Sequence, residues 1–428
     1  MAWDFETDPE FERELAWMRG FVREEILPLE TLHLDHETFA RIAAPLKEQV
    51  KERGLWAAHL GPELGGPGYG QVKLGLMHEI LGGCEYAPAI FGNQAPDSGN
   101  SELIAIAATP EQRTRWLEPL LAGEIFSAFV MTEQGTGADP TQFTCSARLE
   151  GEEWVINGTK WYISNADRAD VHVLMAVTDP DAHRHHRTSM LLVPADAPGI
   201  ELRRIGSMND PEDVPSMHTQ AEITYTDVRI PAENLLGERG EAFSLAQKRL
   251  GPGRIHHCMR WIGVCRRAFD ALCERAVSKS LHGSRLGDKQ TVQNWIADSL
   301  ADIEAARLLT LHAAWKIDRV GAENARREIA MIKYHGAPIM HDVLDRAIQL
   351  HGSLGYSTDM PLEQMYRFAR AARIYDGPDE VHRQSVARQI LRGYEAPADG
   401  VPTEHLPTRR DAARERFADL LEAVTSID

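Results

Sequence analysis

The feature that most constrains the fold is a change of hydrophobic period that occurs twice along the chain. Between residues 129 and 240, short segments rich in β-branched and aromatic side chains alternate with turns, whereas both flanks carry apolar residues at helical spacing. Strand segments without intervening helices predict an antiparallel sheet or small barrel. The six predicted strands are Thr144–Leu149, Trp154–Ser164, Val171–Thr178, Met190–Val193, Ile200–Arg204 and Gln220–Val228. Asn157-Gly158 is typical of a two-residue hairpin turn.

The N-terminal flank is predicted to be helical. Apolar side chains recur at helix spacing at Phe11, Leu15, Met18 and Val22. A turn-rich loop is expected over residues 62–70, where glycine and proline cluster. A further helix is predicted to start at Thr109-Pro110-Glu111-Gln112, which combines an N-cap threonine, a first-turn proline and a capping-box glutamine.

The C-terminal flank predicts long helices over residues 255–276, 291–319 and 324–351, and a shorter one over 380–393. Helices of this length that pack side by side favour a four-helix bundle. The expected organisation is an N-terminal helical domain (1–128), a middle β-domain (129–240), a C-terminal helical bundle (241–396) and a tail (397–428).

Composition excludes several classes of partner. The chain has 46 basic and 64 acidic residues, a net charge of −18, and so has no general attraction to nucleic acid or anionic lipid. The N-terminus has no basic-then-apolar leader, and no apolar run approaches the roughly 20 residues of a membrane span. Five cysteines without a CxxC pair are typical of a reduced compartment. We therefore expect a cytoplasmic protein that binds neither nucleic acid nor membrane.

The stretch from Gln349 to Tyr356 is a glycine-rich turn that ends a long amphipathic segment. The missing Cβ at Gly352 allows backbone to approach a phosphate closely. Downstream, Asp376 and Asp379 lie in a polar loop before the next helix. Either could cap that helix, and a carboxylate held in a cleft could instead act as a base. We interpret Asp379 as the cap and Asp376 as the base.

Three other segments can be interpreted either as functional or as purely structural. The glycine-spaced loop Met131–Asp139 exposes backbone N–H groups that suit a flavin edge or a pyrophosphate; the alternative is that it only connects two elements. Residues 160–165 could contact a cofactor or pack across strands. Lys279–Gly283 could bind phosphate or be ordinary polar surface. We predict no metal site, because His183, His185 and His186 lack the spacing of a metal motif.

Together these motifs resemble the acyl-CoA dehydrogenase family from about residue 11 to residue 394. The resemblance implies helical, β and helical domains, bound FAD, and an acyl-CoA substrate. It implies that Asp376 removes the α-proton while flavin N5 takes the β-hydride, which gives a trans-2-enoyl-CoA. Implied cofactor contacts are Met131, Thr132, Gly137, Ala138, Tyr162, Ser164, Lys279, His282, Gln290, Gln349, Gly352, Ser353, Pro378 and Glu380. Implied substrate contacts are Ala138, Arg254, Tyr375 and Gly377.

The chain departs from the family pattern at several of these positions. Ala138 replaces a serine, Tyr162 a tryptophan, Lys279 an arginine, His282 a phenylalanine, and Asp376 the commoner glutamate. An aspartate is shorter by one C–C bond, about 1.5 Å. Some members carry the base one residue before the arginine that corresponds to Arg254, where this chain has Gly253.

Segments 94–100 and 251–260 resemble one branch of the family, whose animal members are fused to a kinase-like domain and are linked to 4-hydroxyacyl-CoA catabolism. The family also implies an electron-transfer flavoprotein as electron acceptor. It implies a homodimer or homotetramer in which the segments around Lys279 and Gln349 contact the FAD of a partner subunit. Two alternatives stay open: a nitroalkane-oxidase-like flavoprotein oxidase, and a non-catalytic relative that binds CoA esters or partners.

Overall fold

The N-terminal third is helical in the computed structural model, which describes residues 7–32, 34–62, 66–210, 219–397 and 400–425. Residues 63–65 of the predicted loop lie outside the described residues. The described helices here are α1 (Pro9–Phe21), α2 (His36–Glu52), α3 (Gly70–Leu81), α4 (Ala87–Ile90), α5 (Asp97–Ala107), α6 (Pro110–Gln112) and α7 (Glu118–Ala122). The chain divides into two compact units, residues 1–383 and 384–428.

Local sequence signals account for where these helices start. Asp8 caps α1 by accepting a hydrogen bond from the backbone N–H of Phe11 (2.9 Å), and the predicted apolar face of α1 is buried. At α6, the Thr109 hydroxyl accepts from the Gln112 N–H and the Gln112 side chain accepts from the Thr109 N–H. The capping box predicted at this position is therefore confirmed.

The middle of the chain forms one eight-stranded sheet. Its strands are β1 (Ser127–Val130), β2 (Ser146–Glu150), β3 (Glu153–Ser164), β4 (Val171–Val177), β5 (Thr188–Pro194), β6 (Ile200–Arg204), β7 (Gln220–Pro231) and β8 (Leu235–Leu236). Their order across the sheet is β6-β7-β3-β2-β4-β5-β8, with β1 paired to β4. The six predicted strands are all present. The sheet is not wholly antiparallel, because β1 and β2 each pair with β4 in parallel.

The hairpin predicted at Asn157-Gly158 is wrong. β3 runs through these two residues, and its hairpin with β2 turns instead after Glu150, which pairs with Glu153. The register of β3 against β7 is irregular at this point. A Cβ on Gly158 would lie 2.6 Å from the Cα of Cys145. The glycine thus permits a bulge and a close backbone approach rather than a turn.

The C-terminal part contains α8 (Ala242–Ser278), the hairpin β9 (Ser280–Leu281) and β10 (Ser284–Arg285), α9 (Gln290–Val320), α10 (Arg326–His351), α11 (Leu362–Ala371) and α12 (Asp379–Leu391). Helices α13 (Leu406–Arg416) and α14 (Ala418–Thr425) follow in the second unit. The long helices α8, α9 and α10 pack against one another, and α3 packs against α8 and α9. Because short connections join them, the end of α8, the start of α9 and the end of α10 lie at the same end of the bundle. No helix among the described residues has an apolar stretch long enough to cross a membrane.

Candidate functional site

A polar stripe on the buried helix α8 marks the candidate site. Arg249, Gly253, His257 and Arg260 recur at intervals of three or four residues and therefore share one face of the helix. Together with Asp376, they line a cleft. Buried polar residues are the informative exceptions in a core, so this stripe indicates a function.

The backbone at Asp376 is held in an unusual conformation. Asp376 has φ +54° and Gly377 has φ +101°, and a left-handed residue other than glycine costs on the order of 1–3 kcal/mol. The Asp376 carbonyl accepts from Arg254 Nη2 (3.0 Å) and Nε (3.3 Å), and from His382 Nε2 (3.2 Å). Lys333 Nζ donates to the Gly377 carbonyl at 3.4 Å. Side chains from three helices therefore fix this turn.

The Asp376 carboxylate faces the cleft, with 24% of its side chain exposed. Its Oδ2 lies 3.3 Å from His257 Nε2. Burial by itself would raise the pKa of Asp376, but the field of the neighbouring His257 and of the cations Arg254, Arg249 and Lys333 holds it below its usual value. The group is thus a carboxylate at neutral pH and can accept a proton.

Asp379 does not act as the helix cap that its position suggested. It is the first residue of α12 and is 1% exposed. Its Oδ2 accepts from Arg373 Nε at 2.8 Å, while its Oδ1 has no hydrogen-bond partner within the described residues. The carboxylate therefore stabilises the loop before α12 through a side-chain ion pair rather than through backbone N–H groups.

Tyr375 and its neighbours form a rigid layer beside the carboxylate. The Tyr375 hydroxyl accepts from Trp261 Nε1 at 2.8 Å. The buried Lys333 ammonium lies 5.1 Å from the Tyr375 ring centre and 5.2 Å from the Trp261 ring centre, and donates to the Ala372 carbonyl. Burial raises the pKa of Tyr375, which keeps the phenol neutral.

The strand that precedes the glycine-spaced loop contacts a residue that lines this cleft. The guanidinium of Arg249 packs over the ring of Phe129 in β1 at 4.0 Å, and Met131 and Thr132 follow directly after the end of β1. The buried Lys160 donates to the Met131 carbonyl at 2.8 Å. The Trp161 N–H donates to the Thr132 carbonyl at 3.0 Å, so the loop and the end of β3 are tied together.

This region has groups that fit a flavin ring. The Tyr162 ring is 51% exposed, and neither the Thr132 nor the Ser164 hydroxyl has a side-chain hydrogen bond within the described structure. A Cβ on Gly137 would meet no atom within 4 Å, so the loop backbone is open. Free hydroxyl donors, an exposed ring and an open backbone fit a planar ring system with polar edges. Ala138 is exposed and supplies no side-chain donor.

The remaining sequence-predicted cofactor residues lie elsewhere on the same chain. Pro378 and the exposed Glu380 adjoin Asp376 at the start of α12. The others are exposed at the far end of the helical bundle: Lys279, His282, Gln290, Gln349, Gly352 and Ser353. At a rise of about 1.5 Å per residue, Arg254 lies about 36 Å from the end of α8, and Lys333 lies about 24 Å from Gln349 along α10. One chain therefore does not bring the two groups together.

Sequence reasoning missed several residues of the cleft. The sequence motifs assigned no role to five residues that line the cleft or contact Asp376 or its neighbours: His257, Arg260, Arg249, Lys333 and Glu102. The available signals were the polar spacing along α8 and a lysine inside the apolar run 329–334. Burial raises the pKa of Glu102 to about 7, against the opposing effect of Arg249.

Comparison with known proteins matches successive parts of the chain to a single family. Family models described as acyl-CoA dehydrogenase N-terminal, middle and C-terminal domains match residues 9–124, 128–220 and 240–391. A "probable acyl-CoA dehydrogenase FadE2" of Mycobacterium tuberculosis is 42% identical over 372 residues, 83% of this chain and 90% of that protein. "Acyl-CoA dehydrogenase family member 11" of Rattus norvegicus is 42% identical over 81% of this chain, which spans only 44% of that relative.

Solved structures share the fold. A Mycobacterium abscessus structure assigned provisionally to the acyl-CoA dehydrogenases has a TM-score of 0.86 and 38% identity, covering 91% of this chain and all of that one. Butyryl-CoA dehydrogenase of Megasphaera elsdenii has a TM-score of 0.78 and 25% identity, covering 91% of this chain and 100% of that one.

Proposed function

Because this chain belongs to the acyl-CoA dehydrogenase family, we propose that it is an FAD-dependent dehydrogenase in which Asp376 removes the α-proton of an acyl-CoA thioester. The observation that carries the proposal is the ionised carboxylate of Asp376, fixed in a left-handed turn at the wall of a cleft. A base must be held within reach of the carbon acid that it deprotonates, and this turn holds it.

The proposed reaction breaks two C–H bonds of the substrate, one at the α-carbon and one at the β-carbon. Asp376 takes the α-hydrogen as a proton, and the electron pair of the broken α-C–H bond forms the new α,β-double bond. Bound FAD supplies the hydride acceptor for the β-hydrogen, so that the substrate loses two electrons and the cofactor gains them. The product is a trans-2-enoyl-CoA, and an electron-transfer flavoprotein is the proposed electron acceptor.

Negative charge that develops on the thioester oxygen needs hydrogen-bond donors. Within the described structure, the backbone N–H of Asp376 donates to no group, which leaves it available to the substrate. Arg254 is engaged at the Asp376 carbonyl. We therefore assign Arg254 to orienting the turn, while Tyr375 and Gly377 shape the substrate side of the cleft.

The cofactor proposal divides the predicted contacts between two subunits. Met131, Thr132, Tyr162 and Ser164 would bind the flavin ring near the cleft of their own chain. The exposed group at the far end of the bundle is too distant from Asp376 to serve the same cofactor easily, which supports a homo-oligomer in which it binds the phosphates of a neighbour's FAD. Lys279 would provide a cation without the paired donors of an arginine.

Anaerobic mixing of the FAD-loaded protein with a panel of acyl-CoAs, while flavin absorbance is followed, tests the proposal. The protein should bleach with at least one acyl-CoA, and Asp376→Asn should keep FAD but lose bleaching. Asp196→Asn is the matched control, because Asp196 is an exposed aspartate in a turn of the middle domain. Bleaching by Asp376→Asn would refute the base assignment. Rapid flavin reoxidation by oxygen without bleaching by any acyl-CoA would indicate an oxidase instead.

A further inference from the structure

A second set of polar contacts reaches the Asp376 side chain from α8. His257 Nε2 lies 3.3 Å from Asp376 Oδ2, and Arg260 Nη2 lies 3.0 Å from His257 Nδ1. The other terminal nitrogen of Arg260 donates to the Asn93 carbonyl at 3.0 Å. These contacts link the carboxylate to the N-terminal helical part of the chain.

The chemistry of the two partners fixes the tautomer of His257. A guanidinium has only donors, so His257 Nδ1 must accept from Arg260. Burial, followed by Arg260, lowers the pKa of His257 to about 3, so the ring is neutral. A neutral imidazole that accepts at Nδ1 carries its proton on Nε2, the nitrogen that faces Asp376. His257 therefore presents an N–H to the carboxylate, with its Nε2 3.3 Å from Oδ2.

We propose that His257 is a positioning residue, which orients the Asp376 carboxylate through its Nε2–H while Arg260 fixes the tautomer. This inference rests on the proposed role of Asp376 as the base. Arg254 and His382 hold only the backbone carbonyl of Asp376, so they set the position of its Cα but not the direction of its side chain. His257 supplies that missing constraint for a base that is one carbon shorter than the family's glutamate.

Other groups also surround the Asp376 side chain. The cations Arg249 and Arg254 of α8 and Lys333 of α10 lower the pKa of the carboxyl, whereas His382 of α12 contacts its backbone carbonyl. Glu102 of α5 lines the same cleft and has its own raised pKa. An informative test must therefore change the hydrogen bond to Asp376 while leaving all of these groups in place.

His257→Gln and His257→Asn provide such a test, because they differ mainly in reach. A glutamine amide places an N–H near the position of Nε2, whereas an asparagine amide ends near the position of Nδ1. Both variants keep a polar side chain of similar character, and bound flavin absorbance reports that each is folded. A merely structural role of His257 predicts that the two variants behave alike.

The expected result is that His257→Gln stays within a few-fold of the wild type, whereas His257→Asn loses about tenfold or more in kcat with a smaller change in KM. Loss of the donor should also raise the apparent pKa of the acidic limb in the pH profile of kcat/KM by about one unit, in His257→Asn alone. Equal kinetics and equal pH profiles for the two variants would overturn the inference. Activity in Asp376→Asn would instead refute the proposed function, so the two failures are distinguishable.

Discussion

Replacing Lys160 with methionine tests how the middle domain holds the proposed flavin loop. The Lys160 and Glu133 side chains are 0% and 2% exposed, and their charged atoms are 2.8 Å apart. Lys160 also donates to the Met131 carbonyl. Burial would raise the pKa of Glu133, but Lys160 and the donors from Thr144 lower it, so Glu133 stays ionised. Lys160→Met therefore leaves a buried carboxylate without its cation.

The magnitude follows from what remains around that carboxylate. Breaking a buried ion pair by removing one partner costs about 3–5 kcal/mol of unfolding free energy. Glu133 still accepts from the Thr144 N–H (2.7 Å), the Thr144 hydroxyl (2.9 Å) and the Cys145 N–H (3.0 Å). These three donors favour the lower end, about 3 kcal/mol. FAD affinity should fall about tenfold, since about 1.4 kcal/mol of binding free energy would go into ordering the released loop.

Urea unfolding at a fixed FAD concentration, followed by far-ultraviolet circular dichroism and by flavin release, measures both effects. The midpoint should fall by on the order of 1 M urea. The double variant Lys160→Met/Glu133→Gln should recover most of the loss, because it removes the uncompensated charge. Arg203→Met is the control, since Arg203 and Glu222 form an exposed ion pair and its loss should cause no resolvable change. An unchanged midpoint and FAD affinity in Lys160→Met would refute the reasoning.

Three further predictions concern the cleft. Burial raises the pKa of Glu102 to about 7 from 4.5, so the contribution of Glu102 to stability is present below pH 4.5 and lost as pH rises through 7. Glu102→Gln should therefore be more stable than the wild type by up to about 3 kcal/mol at pH 8 and equally stable at pH 4. A difference in thermal unfolding that does not depend on pH would contradict this. Gly377→Ala places a Cβ 2.7 Å from His382 Nε2 at φ +101°, so bleaching by substrate should slow at least about tenfold while FAD stays bound; a wild-type rate would show that the turn tolerates a Cβ. Gly253 lines the cleft, and a Cβ there would meet no atom within 4 Å, so Gly253→Glu should restore measurable bleaching to Asp376→Asn, whereas an inactive double variant would argue against a carboxylate reaching the substrate from α8.

Local signals account for the parts of the fold that the sequence predicted well. The helical flanks, the six strands and the capping box at Thr109 depend on periodicity and on contacts within a few residues. The error at Asn157-Gly158 has the opposite origin. The side chain of Asn157 pairs with Asp227 across two strands (3.0 and 2.9 Å), a tertiary contact that overrides the local preference for a turn.

The same distinction between local and tertiary interactions applies to the candidate site. Motif spacing identified Asp376, the loop at 131–138 and the exposed segments at 279–290 and 349–353, and their roles stay predictions. It did not identify His257 as the partner of Asp376, nor Arg373 as the partner of Asp379. His257 and Asp376 lie on different elements far apart in the chain: Arg254, on the same helix as His257, is 122 residues from Asp376.

The sequence by itself therefore determined the order of the helical and β blocks, the family, and the position of the acid in its glycine-containing turn. Tertiary structure alone decided which side chains surround that acid, which cation accompanies the proposed flavin loop, and which motif segments lie too far away to share its cleft. The physical reason is that secondary structure follows from interactions repeated every two to four residues, whereas a hydrogen bond between distant elements leaves no periodic trace in the sequence.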